Sequence, residues 1–317
     1  MPADPQVQAL LDALAQNDAP PTSEGTPEAA REGYRNLALL LGEAQAVGSV
    51  TDRTIPGPAG EIPVRVYRPT GQGDGADGGG GSLGVLVFFH GGGWVIGDLD
   101  SHDHLCRLLC HRAGVVVVAV DYRLAPEHPY PAAVNDAWAA TEWVCAHARE
   151  LGGDPARVAV GGDSAGGNLA AVVALIARDA GGPPLAFQLL IYPAVDHGTD
   201  YPSLTENGQG YLLTRATMDW FYGHYAGPTP SVDDWRLSPL RAGRFDGLPP
   251  ALVITAELDP LRDEGTAYAA ALAGAGVEVT HTNYAGQVHT FVQIAPLLEG
   301  GQRAVDEAAA ALRARLG

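Results

Sequence analysis

From Gly84 onward the chain repeats one unit, a short apolar run followed by a longer amphipathic stretch. Val85–Phe89 precedes a predicted helix near 101–112, Val115–Val120 one near 131–149, and Val158–Val160 one near 164–179. Leu185–Tyr192 is a further strand, Ala251–Thr255 leads into a helix over 262–274, and Val277–Asn283 into one near 302–315. Such runs have no water-facing side, so they belong in a sheet covered on both faces. Helices between consecutive strands supply that cover and bring the strands parallel. With two earlier strands at 50–57 and 62–69, the second alternating as Ile62, Val64 and Val66, the pattern predicts an α/β fold of about eight strands.

Four stretches fall outside this rhythm. Residues 4–16 and 27–46 read as helices, the first with a Val7, Leu10, Leu11, Leu14 stripe and the second opened by Pro27 and Glu28. Gly71 to Ser82 is almost all Gly, Asp, Ala and Gln and reads as a flexible surface loop. It lacks the Gly-Lys-Ser/Thr ending of a phosphate loop. Residues 195–248 carry Tyr201, Tyr211, Trp220, Phe221, Tyr222, Tyr225 and Trp235 among polar residues. An aromatic-rich insertion between strands reads as a lid over a pocket.

Charge narrows the partners. The formal net charge is −18, and all 19 basic residues are arginine. A surface this acidic repels phosphate backbones and anionic lipid, so neither nucleic acid nor a membrane is an expected partner. The first ten residues lack a basic, then apolar, secretory pattern, and no apolar run is long enough to span a bilayer. The expectation is a cytoplasmic protein. Cys106, Cys110 and Cys145 are too few and too odd in number for a disulfide framework and read as buried thiols. His102, His104, Cys106, Cys110 and His111 are metal-ligand types, but Leu105, Leu108 and Leu109 put the segment on a helix rather than in a zinc loop.

The sharpest chemical signal is Gly162-Asp163-Ser164-Ala165-Gly166, between an apolar strand and a helix-forming stretch. A nucleophile on a tight strand-to-helix turn sits in strained backbone, and its neighbours two residues away must be small. Ser164 is therefore the candidate nucleophile. Its hydroxyl needs a base, and the carbonyl it attacks needs donors for the oxyanion. His90-Gly91-Gly92-Gly93-Trp94 follows the strand ending at Phe89. The N–H groups of Gly91, Gly92 and Gly93 are candidate donors, with Gly92 and Gly93 preferred, and the Ala165 N–H is the further one.

In such folds the carboxylate follows the nucleophile and the histidine comes last. His281 lies in an alternating strand, and His197 and His224 in the insertion. His289 sits in a loop just beyond a strand, where parallel sheets place their chemistry. Asp259, held extended by Pro260, is favoured as the carboxylate, with Glu257 the alternative. Asp263 and Glu264 fall in a first helical turn, where acids suit the dipole.

These motifs, with Asp121-Tyr122-Arg123-Leu124-Ala125-Pro126-Glu127-His128-Pro129 and Asp259-Pro260-Leu261-Arg262-Asp263-Glu264-Gly265, resemble the bacterial hormone-sensitive-lipase family of carboxylesterases. The resemblance spans roughly 50 to 300 and implies an α/β-hydrolase fold with a helical cap. It divides the chain into cap helices (1–48), a core in two parts (49–194 and 249–317) and a cap insertion (195–248). It implies hydrolysis of small, short-acyl carboxylic esters by Ser164, His289 and Asp259, with no cofactor and with dimers common among similar enzymes. It also suggests a rigid loop at 121–133, with a cis bond at Ala125-Pro126 or Tyr130-Pro131. The chain departs from the family at Thr290, where glycine usually follows the catalytic histidine. A β-branched residue there restricts the backbone.

Overall fold

The computed structural model describes residues 2–16, 20–71, 82–227 and 233–317. Most of the predicted flexible loop at 71–82 lies outside them. Among the described residues eight strands form one sheet: β1 Ser49–Gly57, β2 Gly60–Arg68, β3 Leu83–Phe89, β4 Val116–Val120, β5 Gly153–Asp163, β6 Phe187–Ile191, β7 Ala251–Leu258 and β8 Val279–Val288. Their order is β1-β2-β4-β3-β5-β6-β7-β8. β2 pairs antiparallel with both β1 and β4, and every later pairing is parallel.

The helices are α1 Pro5–Ala15, α2 Pro27–Leu39, α3 Asp103–Ala113, α4 Ala132–His147, α5 Ala165–Ala180, α6 Pro202–Glu206, α7 Arg215–Tyr225, α8 Arg262–Gly274 and α9 Glu299–Leu316. Alternate side chains of the central strands enter opposite cores, as the two-residue period of a strand requires. Val85, Val87 and Phe89 pack in the core with α4 and α5, whereas Leu86 and Phe88 pack in the one with α3 and α9. β3 and β4 are buried along almost their whole length, which is why they read as unbroken apolar runs.

Several element boundaries differ from expectation: β5 starts at Gly153, and β8 extends to Val288 through the segment read as a loop, so that His289 follows the strand directly. α2 stops at Leu39, not near 46, because the chain closes a tighter turn through Leu41 N–H to Ala38 O and then enters the left-handed region at Gly42 (φ 79°). α9 begins at Glu299, before the predicted 302, with Gly300 and Gly301 in its first turn. Packing demands those glycines: a Cβ at Gly301 would lie 2.4 Å from Phe291 O. The peptides Ala125-Pro126 and Tyr130-Pro131 are both cis. No helix among the described residues is long and apolar enough to cross a membrane.

Candidate active site

Ser164 closes the turn between β5 and α5 at φ 55°, ψ −117°, backbone that costs a non-glycine residue roughly 1–3 kcal/mol. Its neighbours hold it there. Ser164 N–H donates to Ile191 O at 2.9 Å, and its carbonyl accepts from Asn168 N–H at 3.0 Å. The flanking glycines are a steric necessity, since a Cβ would lie 2.4 Å from Phe89 O at Gly162 and 1.9 Å from it at Gly166.

Asp259 follows β7 and His289 follows β8, so both arrive at the edge of the sheet where β5 delivers Ser164. His289 Nε2 lies 2.9 Å from Ser164 Oγ, and its Nδ1 lies 2.7 Å from Asp259 Oδ2. Three residues separated by 95 and 30 positions thus form one chain of contacts. Asp259 Oδ1 accepts the Leu261 N–H at 2.8 Å, which fixes the carboxylate plane. Asp259 is fully buried, and His289 and Ser164 are only 4% and 9% exposed. An aspartate on Nδ1 selects the tautomer that leaves Nε2 facing the hydroxyl as a proton acceptor.

The other candidates have other partners. Glu257 Oε2 accepts the Gly286 N–H at 2.7 Å and so braces the end of β8 that leads into His289. Asp263 pairs with Arg262. Glu264 lies in the first turn of α8 as expected and is buried there, its Oε1 accepting from Val195 N–H at 2.7 Å. Burial pushes its carboxyl up to about 8. His281 contacts Thr255 on the sheet, His197 stacks on Tyr222, and His224 stands edge-on to Trp220. Among the described residues the His102–His111 segment forms no metal cluster; it is α3 with its preceding turn.

The glycine run shows which N–H groups are free to act. Gly92 and Gly93 have φ of 115° and 57°. Their N–H groups, and that of Ala165 at the start of α5, find no acceptor among the described residues. Gly91 is a correction: its N–H already donates to Asp163 Oδ1 at 2.9 Å, so it is committed to a protein acceptor. The His90 ring beneath the loop stacks on Tyr122 at 4.2 Å, and burial holds its pKa down at about 4. The Tyr122 hydroxyl donates to His90 O at 2.7 Å, tying the 121–133 loop to the glycine run.

Thr290 adopts φ 70°, the left-handed conformation that glycine would take freely. Its hydroxyl donates to His289 O, a local bond that accommodates the strain.

Ser164 and His289 open onto a pocket of about 200 Å³. Its walls come from Leu212, Leu213, Met218 and Phe221 in the segment between β6 and β7, and from Tyr34 and Leu37 on α2. Phe221 lies so close over the glycine run that a Cβ at Gly93 would meet its ring at 2.2 Å.

Several residues of this architecture had no signal in the sequence. Arg31 on α2 donates to Val95 O (2.8 Å), to Ala125 O (2.9 Å) and to both oxygens of Glu127. The Tyr34 hydroxyl donates to Gln293 Oε1 at 2.9 Å, and Gln293 Nε2 to Ser101 O. Asp163 stood in view inside the nucleophile motif, but its partners Gly91 and His102 lie 72 and 61 residues away, beyond any local pattern.

Residues 86–293 match a family model described as an alpha/beta hydrolase fold. The chain is 48% identical over 295 residues to the carboxylic ester hydrolase LipN of Mycobacterium tuberculosis, covering 91% of this chain and 76% of that protein. It is 44% identical over 322 residues to the carboxylesterase NlhH of the same organism, covering 99% and 96%. The hyperthermophilic esterase of the archaeon Pyrobaculum calidifontis superposes with a TM-score of 0.91 at 42% identity, covering 99% of each chain. With the eight-stranded sheet and the segment matched, the chain belongs to the α/β-hydrolase fold family, in the hormone-sensitive-lipase-type branch that holds these carboxylic ester hydrolases.

Proposed function

We propose that the protein hydrolyses small carboxylic esters with short acyl groups through an acyl-enzyme on Ser164. The observation that carries this reading is the unbroken contact from Asp259 through His289 to Ser164, at 2.7 and 2.9 Å, ending in a confined apolar pocket. Ser164 Oγ attacks the ester carbonyl while His289 Nε2 takes its proton. Asp259 orients the ring and stabilises the imidazolium so formed. The carbonyl oxygen, now an anion, is met by the N–H groups of Gly92, Gly93 and Ala165. Ala165 adds the positive end of the α5 dipole. His289 then protonates the departing alcohol, and water repeats the sequence on the acyl-enzyme.

Pocket size supports short chains. About 200 Å³ is below the roughly 300–1,000 Å³ typical of sites for drug-sized ligands. The N-terminal helices and residues 195–248 serve as the cap in this reading, since α2 and the 195–248 segment both supply walls of that pocket. A series of p-nitrophenyl esters from acetate to palmitate tests the substrate class. The expected result is the highest kcat/KM at four carbons or fewer; a maximum at palmitate would overturn the short-acyl reading.

A further inference from the structure

Asp163 immediately precedes Ser164 and is fully buried, yet the chemistry above gives it no task. Its Oδ1 accepts the Gly91 N–H at 2.9 Å. His102 Nε2 lies 3.2 Å from Oδ1 and 3.4 Å from Oδ2, and 3.3 Å from the Gly91 nitrogen. The far side of the His102 ring meets Ser101 Oγ at 3.1 Å. Ser101 in turn is tied to Asp98, whose N–H donates to Ser101 Oγ at 2.8 Å. Asp163, His102 and Ser101 are each at most 1% exposed.

A buried carboxylate is costly unless donors surround it. Here the Gly91 N–H donates to it, and His102 Nε2 lies beside both of its oxygens, a donor to them in the Nε2–H tautomer. One carboxylate therefore spans two parts of the site that no covalent path joins closely: the turn carrying Ser164 and the loop presenting Gly92 and Gly93. The contact is tight as well, since a Cβ on Gly91 would lie 2.4 Å from Asp163 Oδ2. The rest of the loop is pinned from other directions, by Tyr122 on His90 O, Ala125 on Trp94 O and Arg31 on Val95 O. Asp163 supplies a side-chain hydrogen bond between it and the nucleophile turn.

We propose that Asp163, supported by His102, is a positioning residue for the oxyanion site. By holding the Gly91 N–H away from the pocket it sets the next two peptides with their N–H groups facing the carbonyl that Ser164 attacks. The inference rests on the esterase reading of Ser164. Its mark is kinetic: a misplaced oxyanion donor weakens the transition state more than the bound ester, so kcat falls while KM holds.

The test compares Asp163→Asn, whose amide oxygen can still accept from Gly91, with Asp163→Ala, which has no acceptor. Rates are expressed per site labelled to completion by a fluorophosphonate, so unfolded protein drops out. Removing one oxyanion donor typically costs 10²–10³ in kcat. The expected order is wild type, then Asn about 10-fold lower, then Ala about 100-fold lower, as neutral acceptors bind more weakly than charged ones. KM should stay within about threefold, and affinity for a trifluoromethyl ketone, which forms the tetrahedral adduct, should fall in step with kcat/KM. Unchanged kcat per labelled site in both variants, or equal losses in the two, overturns the proposal. If the Ala variant yields no labelled protein, the Asn variant decides alone: wild-type kcat and ketone affinity overturn it. Absence of labelling in the wild type would instead sink the esterase reading itself.

Discussion

α2 is attached to the body of the protein by polar contacts more than by burial, and Arg31 is the chief of them. Of its 13 residues only Ala38 is buried, and that one is still 8% exposed. A helix this short is marginal on its own in water, so its attachment decides whether it stays folded. Arg31 is 20% exposed and donates to two backbone carbonyls, while its partner Glu127 is 47% exposed. The guanidinium pulls the Glu127 carboxyl down to about 2, but at that exposure water screens the pair, and it contributes about 0.5 kcal/mol. The two bonds from the guanidinium to carbonyls, partly open to water, contribute about 1–1.5 kcal/mol each, below the roughly 1.5–3 kcal/mol of a buried charged donor. Arg31→Ala should therefore loosen α2 by about 3 kcal/mol and Glu127→Gln by about 0.5 kcal/mol. That difference is about 60-fold in the opening equilibrium. Amide hydrogen exchange over 28–39 reads it directly, with exchange in Arg31→Ala expected about 60-fold faster than in Glu127→Gln. Equal acceleration in the two variants would refute the assignment of the attachment to the Val95 and Ala125 carbonyls.

Other consequences follow from buried charge and backbone strain. Glu264 keeps its proton in the folded chain up to about pH 8, whereas its ordinary value is 4.5. Between those values the folded state binds the extra proton, so stability falls as pH rises through the window. Glu264→Gln keeps an oxygen for Val195 N–H and removes the titration. Its Tm between pH 5 and 9 should decline less than that of the wild type, and parallel declines would exclude Glu264 as the cause. At Thr290, relief of about 1–2 kcal/mol of left-handed strain in Thr290→Gly is offset by the lost hydroxyl bond and by glycine's extra unfolded freedom, about 1 kcal/mol each. That variant should melt within a few degrees of wild type. Thr290→Val keeps the strain and loses the bond, so it should melt lower than either, and a Val variant as stable as Thr would show that the hydroxyl does not support the turn.

The sheet was legible because its strands are buried on both sides. Val116–Val120 is apolar at every position, and a segment like that has few other places to go. The helix ends were less so: α2 stops at Leu39 through a turn whose hydrogen bonds no propensity encodes. In the site, Ser164, Asp259 and His289 each carried a local mark: small neighbours, a following proline, a loop after a strand. Gly91 shows the limit of that reasoning. Three adjacent glycines look alike in sequence, and what separates the first from the other two is Asp163, 72 residues away. Arg31, Tyr34 and Glu264 are of the same kind, polar residues whose partners are fixed only when distant segments pack.

If His289 makes Ser164 nucleophilic and Ser164 carries the acyl group, stopped-flow hydrolysis of p-nitrophenyl acetate, followed by acid quench and mass mapping of the modified peptide, will show both. The expected result is a p-nitrophenol burst of one equivalent per site, with about 42 mass units of acetyl on Ser164, and no burst on that timescale in His289→Ala. An acetyl group found on another residue, or a full burst without His289, would contradict it.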